Sequence, residues 1–319
     1  MSARTLTTFA HLVGLGSVQR WLQERTVKGC LSPSLLFVGP EGVGKRSLAR
    51  AWIAWYCCRT RATSNDACGQ CPSCVQLAAE SYPDLLWVRA SPGKREIGID
   101  RAREVKRFLS IQPMAGPSRI AVIESAEQLT TAAQNALLKI LEEPPPNTWL
   151  LATTSTPDAV LPTVRSRCQR VVVPPLPEKL LRQALLQHGL AAPEAENLLD
   201  FAEGSVGKAL ALHATLGAKG IQEVSEFLAA IDHARYGALT RYADQLAKDD
   251  RRLDAQLHAM LLALRKQAIE FAEQNRQQAR VALERAEVIT RTWRTMREGY
   301  PNRTLLLETM LLQLTQAKP

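Results

Sequence analysis

Four of the seven cysteines in the 319-residue chain fall between positions 58 and 74. The stretch reads Cys57-Cys58-Arg-Thr-Arg-Ala-Thr-Ser-Asn-Asp-Ala-Cys68-Gly-Gln-Cys71-Pro-Ser-Cys74. Two overlapping Cys-x-x-Cys units share Cys71, and turns such as Cys-Gly-Gln-Cys and Cys-Pro-Ser-Cys present paired thiolates to a soft metal. Four cysteines with no open position describe a structural zinc rather than a catalytic one. An odd cysteine count and this crowding speak for metal over disulfides. Cys57 and Cys58 are both available as the fourth ligand. Cys58 is the better candidate, with Cys57 facing the preceding helix.

A second constellation is Gly39-Pro-Glu-Gly-Val-Gly-Lys-Arg-Ser47. It follows the apolar run Leu35 to Val38 and opens a helical pattern, the strand-turn-helix context of a phosphate-binding P-loop. Gly39, Gly42 and Gly44 let backbone amides converge on an anion at a helix N-terminus, and Lys45 stands where it would reach terminal phosphates. The motif then requires a hydroxyl to hold magnesium, and Arg46 occupies that position. The strand that should end in an Asp-Glu pair ends Glu124-Ser125. Three departures in one chemistry imply that hydrolysis is not this loop's task. Two more candidates are polar strand-end groups. Thr154 is placed as a γ-phosphate sensor, and Val164-Arg165-Ser166-Arg167-Cys168 puts arginines at a domain edge, where one could reach a neighbour's phosphate.

The elements that must position these groups alternate. Strands are expected at 35–38, 85–88, 119–123, 149–154 and 171–173. Helices are expected from Lys45 to Tyr56, from Arg101 to Ile111 with Asp100 as cap, and from Thr130 or Thr131 to Leu141. Ser91-Pro92-Gly93 closes the second strand. The alternation predicts a parallel sheet with helices on both faces. After Pro174 the strands stop. A short helical unit spans 178 to about 212, interrupted at Gly204-Ser-Val-Gly207, and long amphipathic helices follow, including 254–273 and 303–316. The domains expected are an α/β unit at 1–175 with the cysteine module at 57–75, a small helical unit at 176–215, and an all-helical unit at 216–319.

Composition narrows the classes. Apolar residues are 46% and charged residues 22%, ordinary for a globular chain. No apolar run approaches a membrane span and the N-terminus lacks a secretory pattern, so cytoplasmic residence is expected. The net charge of +9 suits work beside nucleic acid. The arginines at 276, 280, 285, 291, 294 and 297 read first as a solvated helix face. Leu305, Leu306, Leu307, Met310, Leu311 and Leu314 suit either packing within the domain or contact between subunits. The five histidines lack ligand spacing.

The ordered set GPEGVGK, the cysteine cluster, YPDLLWV, IGIDRAREV, IAVIESAEQLT, NALLKILEEPP, LATTS and SRC resembles the bacterial DNA polymerase III clamp loader. More narrowly, it resembles the AAA+ family of its gamma/tau and delta-prime subunits, over nearly the whole chain. The resemblance implies a P-loop AAA+ domain, a lid and a helical collar within a hetero-pentameric ring. It makes Arg167 a finger acting on a neighbour's ATP, and Cys58, Cys68, Cys71 and Cys74 the zinc ligands. The spacing from Cys58 to Cys68 is one residue longer than the family's usual one, and counting from Lys45 favours Cys58.

Arg46, Ser125 and Lys208, the last in place of a sensing arginine, side with the non-hydrolysing delta-prime branch. The implied function is a stator that helps load the sliding clamp onto primed DNA, as an accessory subunit of a DNA-directed DNA polymerase holoenzyme without ATPase of its own. The partners implied are gamma/tau and delta subunits, the clamp and primer-template DNA. The alternative is a gamma/tau-like ATPase motor, with Ser47 replacing the missing hydroxyl.

Overall fold

The computed structural model describes residues 6–61, 65–91, 93–233, 235–297, 299 and 302–317, without the side chains of Arg251 and Arg297. Pro92 of the expected Ser91-Pro92-Gly93 closure and the Arg297 side chain lie outside that description. The chain divides into two compact units, Met1–Leu180 and Leu181–Pro319.

The first unit holds five parallel strands: β1 (Ser34–Val38), β2 (Leu85–Val88), β3 (Arg119–Ile123), β4 (Thr148–Thr154) and β5 (Gln169–Val172). Their order across the sheet is β2-β3-β4-β1-β5. Every residue of β1 and β3 is buried, as expected where helices cover both faces. Alternation divides the strand residues between two cores. Leu35, Phe37, Ile120, Val122 and Leu151 face helices α1 (Gly16–Val27) and α2 (Lys45–Cys57). Leu36, Val38, Ala121, Ile123 and Leu150 face α4 (Ile99–Leu109) and α5 (Thr131–Glu142), which follow a short α3 (Pro72–Ala78). Trp52 on α2 is fully buried, stacks on Tyr56 at 5.1 Å and meets the edge of Trp149 at 5.0 Å.

Three local expectations are corrected. The α4 cap is Gly98, not Asp100, which lies in the first turn and pairs with Arg103 at 3.3 Å. Cys-Pro-Ser-Cys is not a free turn: Cys71 is the N-cap of α3, with Pro72 in its first turn, where a missing N–H costs nothing. The last strand begins two residues earlier than its valine run, and Val173 follows it with its N–H donated to Val38 O at 2.8 Å. By contrast, Thr130 caps α5 by accepting from Ala133 N.

A four-residue helix, α6 (Pro162–Arg165), leads into β5. The second unit is all helical: α7 (Glu178–Gln187) enters it, followed by α8 (Ala192–Ala202), α9 (Val206–Ala230), α10 (Tyr236–Leu246), α11 (Asp250–Gln274), α12 (Arg276–Arg297) and α13 (Arg303–Gln316). Gly217 breaks α9 with φ 67° and ψ 173°, a conformation open to glycine and strained for other residues. Leu307, Met310, Leu311 and Leu314 turn inward, while Leu305 stays exposed. Arg285 departs from the solvated face: it is buried, pairs with Asp232 and donates to Leu314 O and Ala317 O, each at 3.1 Å. Its neighbours behave as surface residues, with Arg280 and Arg291 forming pairs at 2.9 Å with Glu284 and Glu287 on their own helix. No described helix is long and apolar enough to cross a membrane.

Candidate functional site

The loop between β1 and α2 is shaped by its glycines. A side chain at Gly39 would place its Cβ 2.2 Å from Val173 O, and Gly42 and Gly44 adopt φ of +75° and +100°. Gly44 is the N-cap of α2 and offers no side chain, so the first-turn amides of the helix remain directed at the loop. The buried Lys45 donates from Nζ to Gly39 O and Pro40 O, both at 2.7 Å. Burial pulls its pKa below the ordinary lysine value, against the opposing carboxylates of Glu127 and Glu41.

Two of the residues that depart from the ATPase pattern meet. Arg46 Nε lies 3.1 Å from Glu124 Oε1, with the carboxylate largely buried and the arginine half exposed. The guanidinium also stands over Trp87 at 5.7 Å, and Arg50 stands over the same ring at 5.0 Å. Trp87 had no expected role. An indole approached by two arginines is a cation–π arrangement that strand periodicity does not announce. A magnesium ion in such a loop takes a hydroxyl at position 46 and a carboxylate at the strand end. Here one ligand is a cation and the other is engaged by it. The residues present do not fit the metal.

Beyond Glu124, Ser125 is left-handed (φ 56°) and donates its N–H to Thr153 Oγ1 at 3.1 Å, so it offers no general base. Glu127, to which the sequence assigned no role, accepts from the Ser155 hydroxyl at 2.7 Å and the Ser155 amide at 3.2 Å. Thr154 is wholly buried, pairs in register with Val38, and accepts Gly39 N at 3.3 Å. Its hydroxyl and Glu127 Oε2 have no hydrogen-bond partner among the described residues.

Arg167 stands away from this loop. It follows the single turn of α6, donates from Nη1 to Thr163 O at 3.0 Å, and pairs from Nη2 with Glu142 at the end of α5 at 2.7 Å. The NALLKILEEPP helix therefore props the SRC arginine. Cys168 points the other way, packing on the core, and burial pushes its thiol up to about 11.

The thiols of Cys58, Cys68, Cys71 and Cys74 all lie within 4.8 Å of one another and could hold a metal ion. The Cys68–Cys74 separation of 4.0 Å is close to the roughly 3.8 Å edge of a tetrahedron with ~2.3 Å zinc–sulfur bonds. Cys68 N donates to Cys58 Sγ at 3.4 Å and Cys71 N to Cys68 Sγ at 3.3 Å, a cradle that favours thiolate. The Thr60 hydroxyl and the amides of Gln70 and Cys71 hold the Cys68 thiol down to about 6. Cys57 lies outside the cluster; burial pushes its thiol up to about 12 and leaves it inert. The module is tied to the N-terminal segment by Asp66, which accepts Phe9 N at 3.0 Å and Ala10 N at 2.8 Å.

Within the second unit Lys208, expected in place of a sensing arginine, pairs with Glu203 at 2.9 Å. Arg265 reaches the same carboxylate at 2.8 Å. Burial raises the Glu203 pKa, but Lys208 and then Arg265 outweigh it and leave the carboxyl below its ordinary range.

A model of the family described as DNA polymerase III, delta subunit, matches residues 16–177, half of the chain. The chain belongs to that family. Within it the likeness is to delta-prime proteins, with gamma/tau relatives alongside. DNA polymerase III subunit delta' of Pseudomonas aeruginosa is 36% identical over 181 residues, covering 56% of this chain and 55% of that protein. The Escherichia coli K12 delta' subunit is 34% identical over 180 residues, 56% and 54% of the two chains. The gamma/tau subunit of Mycobacterium bovis is 34% identical over 192 residues, 59% of this chain and 33% of that one. The chain thus spans about half the length of the delta' relatives it matches. The crystal structure of a gamma subunit-related protein from Thermotoga maritima shares the fold, with a TM-score of 0.52 at 18% identity, covering 95% of this chain and 99% of that one.

Proposed function

We propose that this chain is the stator of a DNA polymerase III clamp loader: it does not hydrolyse ATP and supplies Arg167 to the ATP site of a neighbouring subunit. The observation that carries this reading is the Arg46–Glu124 pair, which takes both positions where a magnesium ion would need ligands. Without that metal and with Ser125 at the place of the water-polarising acid, the loop lacks the parts that hydrolysis uses. Arg167 supports the complementary half. Its pair with Glu142 is exposed on both sides, so the contact is worth about 0–1 kcal/mol and yields readily to a phosphate. An arginine supplied in trans raises phosphoryl-transfer rates by on the order of 10³–10⁵.

Family membership supports the remaining parts of this reading. The four-cysteine cluster holds one structural zinc. The break at Gly217 supports a division of the helical part into a lid (176–215) and a collar (216–319). The collar joins gamma/tau and delta subunits in a hetero-pentameric ring that places the sliding clamp on primer-template DNA. The isolated chain should show no magnesium-dependent ATP turnover. Turnover above background that Lys45→Ala abolishes would overturn the stator reading in favour of a gamma/tau-like motor.

A further inference from the structure

Three of the four clustered cysteines stand on helix ends, and one does not. Cys58 is the C-cap of α2, Cys71 is the N-cap of α3, and Cys74 lies in the first turn of α3. Cys68 belongs to the irregular segment between the two helices. A metal joining all four thiols therefore pins that segment to the helices through Cys68.

Asn65 and Asp66 stand just before this anchor, and both reach out of the module. Asp66 accepts Phe9 N on Oδ1 at 3.0 Å and Ala10 N on Oδ2 at 2.8 Å. Ala67 N also donates to Oδ1, at 2.8 Å, which fixes the direction of the carboxylate. Asn65 O accepts Gln23 Nε2 of α1 at 2.6 Å. Residues 6–15 form a strap ahead of α1, ordered by the single 3₁₀ turn Phe9–His11. The bonds of that turn run from His11 N to Thr8 O and from Leu12 N to Phe9 O, so the Phe9 and Ala10 amides depend on Asp66. Phe9 is buried against Trp55, with ring centroids 6.5 Å apart, and an amide there needs an acceptor. The strap ends at Leu15, which packs on the glycine loop: a Cβ at Gly44 would lie 3.6 Å from Leu15 Cδ1.

We infer that the cysteine cluster is a metal-dependent clasp for the N-terminal strap. With the metal bound, Cys68 holds Asp66 where it accepts the Phe9 and Ala10 amides. Without it, the segment carrying Asp66 is released and those amides open to water. This deepens the reading of the cluster as a structural zinc site and rests on it.

The test is hydrogen–deuterium exchange of the full chain, zinc-loaded, stripped with EDTA and reloaded, read by mass spectrometry on fragments covering residues 6–12 and β3. Exchange in the 6–12 fragment should quicken at least tenfold on stripping and recover on reloading, with β3 unchanged. A zinc-loaded Asp66→Ala chain should match the stripped parent in that fragment. Asp66→Asn, which keeps one oxygen acceptor, should fall between the two. The inference is overturned by a stripped chain whose strap exchanges like the loaded one, by loss of protection that extends to β3, or by a zinc-loaded Asp66→Ala chain that exchanges like the parent. Those results remove the clasp alone, whereas a native chain that holds no zinc would remove the zinc reading and the clasp with it.

Discussion

Arg46 Nε sits 3.1 Å from Glu124 Oε1, so two departures from the ATPase pattern, one on each side of the phosphate site, are a single ion pair. Read separately, each is a substitution that weakens magnesium binding. Together they close the metal position with groups that satisfy one another. Each group neutralises the other's charge across the loop.

The pair should matter little to stability. Its arginine is half exposed, so a double-mutant cycle of Arg46→Ala and Glu124→Gln should give a coupling of about 1 kcal/mol or less in urea unfolding. A coupling well above ~2 kcal/mol would show the pair to be a structural strut instead.

Metal analysis should find one zinc per chain. Cys71→Ser should lose it, while Cys57→Ser should keep it, because Cys57 lies outside the cluster. Acid should release the ion, since protons compete with it for the thiolates. A native, metal-free chain would contradict the assignment.

Cys57 carries a separate pH signature. Its thiol stays protonated to about 12 in the folded chain because it is buried, against an ordinary value of 9.0. A raised folded pKa means that its stabilisation is complete below pH 9 and is lost as pH rises from 9 toward about 12. Cys57→Ala should therefore lose less stability than the parent across that window. Equal alkaline loss in both proteins would refute it.

In the helical unit, Arg285→Ala should cost about 2–4 kcal/mol, because Asp232 and two helix-end carbonyls lose their partner. Arg285→Lys should recover little, since one ammonium cannot span three acceptors in that fork. Thermal unfolding of the variants checks both, and full rescue by lysine would show that charge alone is needed.

The sites were readable where their parts are close in the chain. The glycine loop and the cysteine spacing are local, and a buried parallel strand is a continuous apolar run, so β2 and β3 have the bounds their sequences suggest. Helix ends were less readable. Gly98 caps α4 through backbone conformation rather than a side chain, and Cys71 hides a helix start inside what looks like a metal turn. Least readable were partners fixed only by the fold. Nothing in the local sequence says that Glu124 receives Arg46, that Glu142 props Arg167, or that Arg285 turns inward from a run of surface arginines. Asp84 is a further case: fully buried, it accepts the amides of Met114, Ala115 and Gly116, a cluster with no motif to announce it.

We propose that this chain acts on a neighbour's ATP through Arg167. The most direct test is the ATP hydrolysis rate, with clamp and primed DNA, of a loader reconstituted with the Arg167→Ala chain. At least a tenfold fall is expected, with assembly intact by gel filtration. A fully assembled loader whose hydrolysis rate equals that of the parent complex would contradict it.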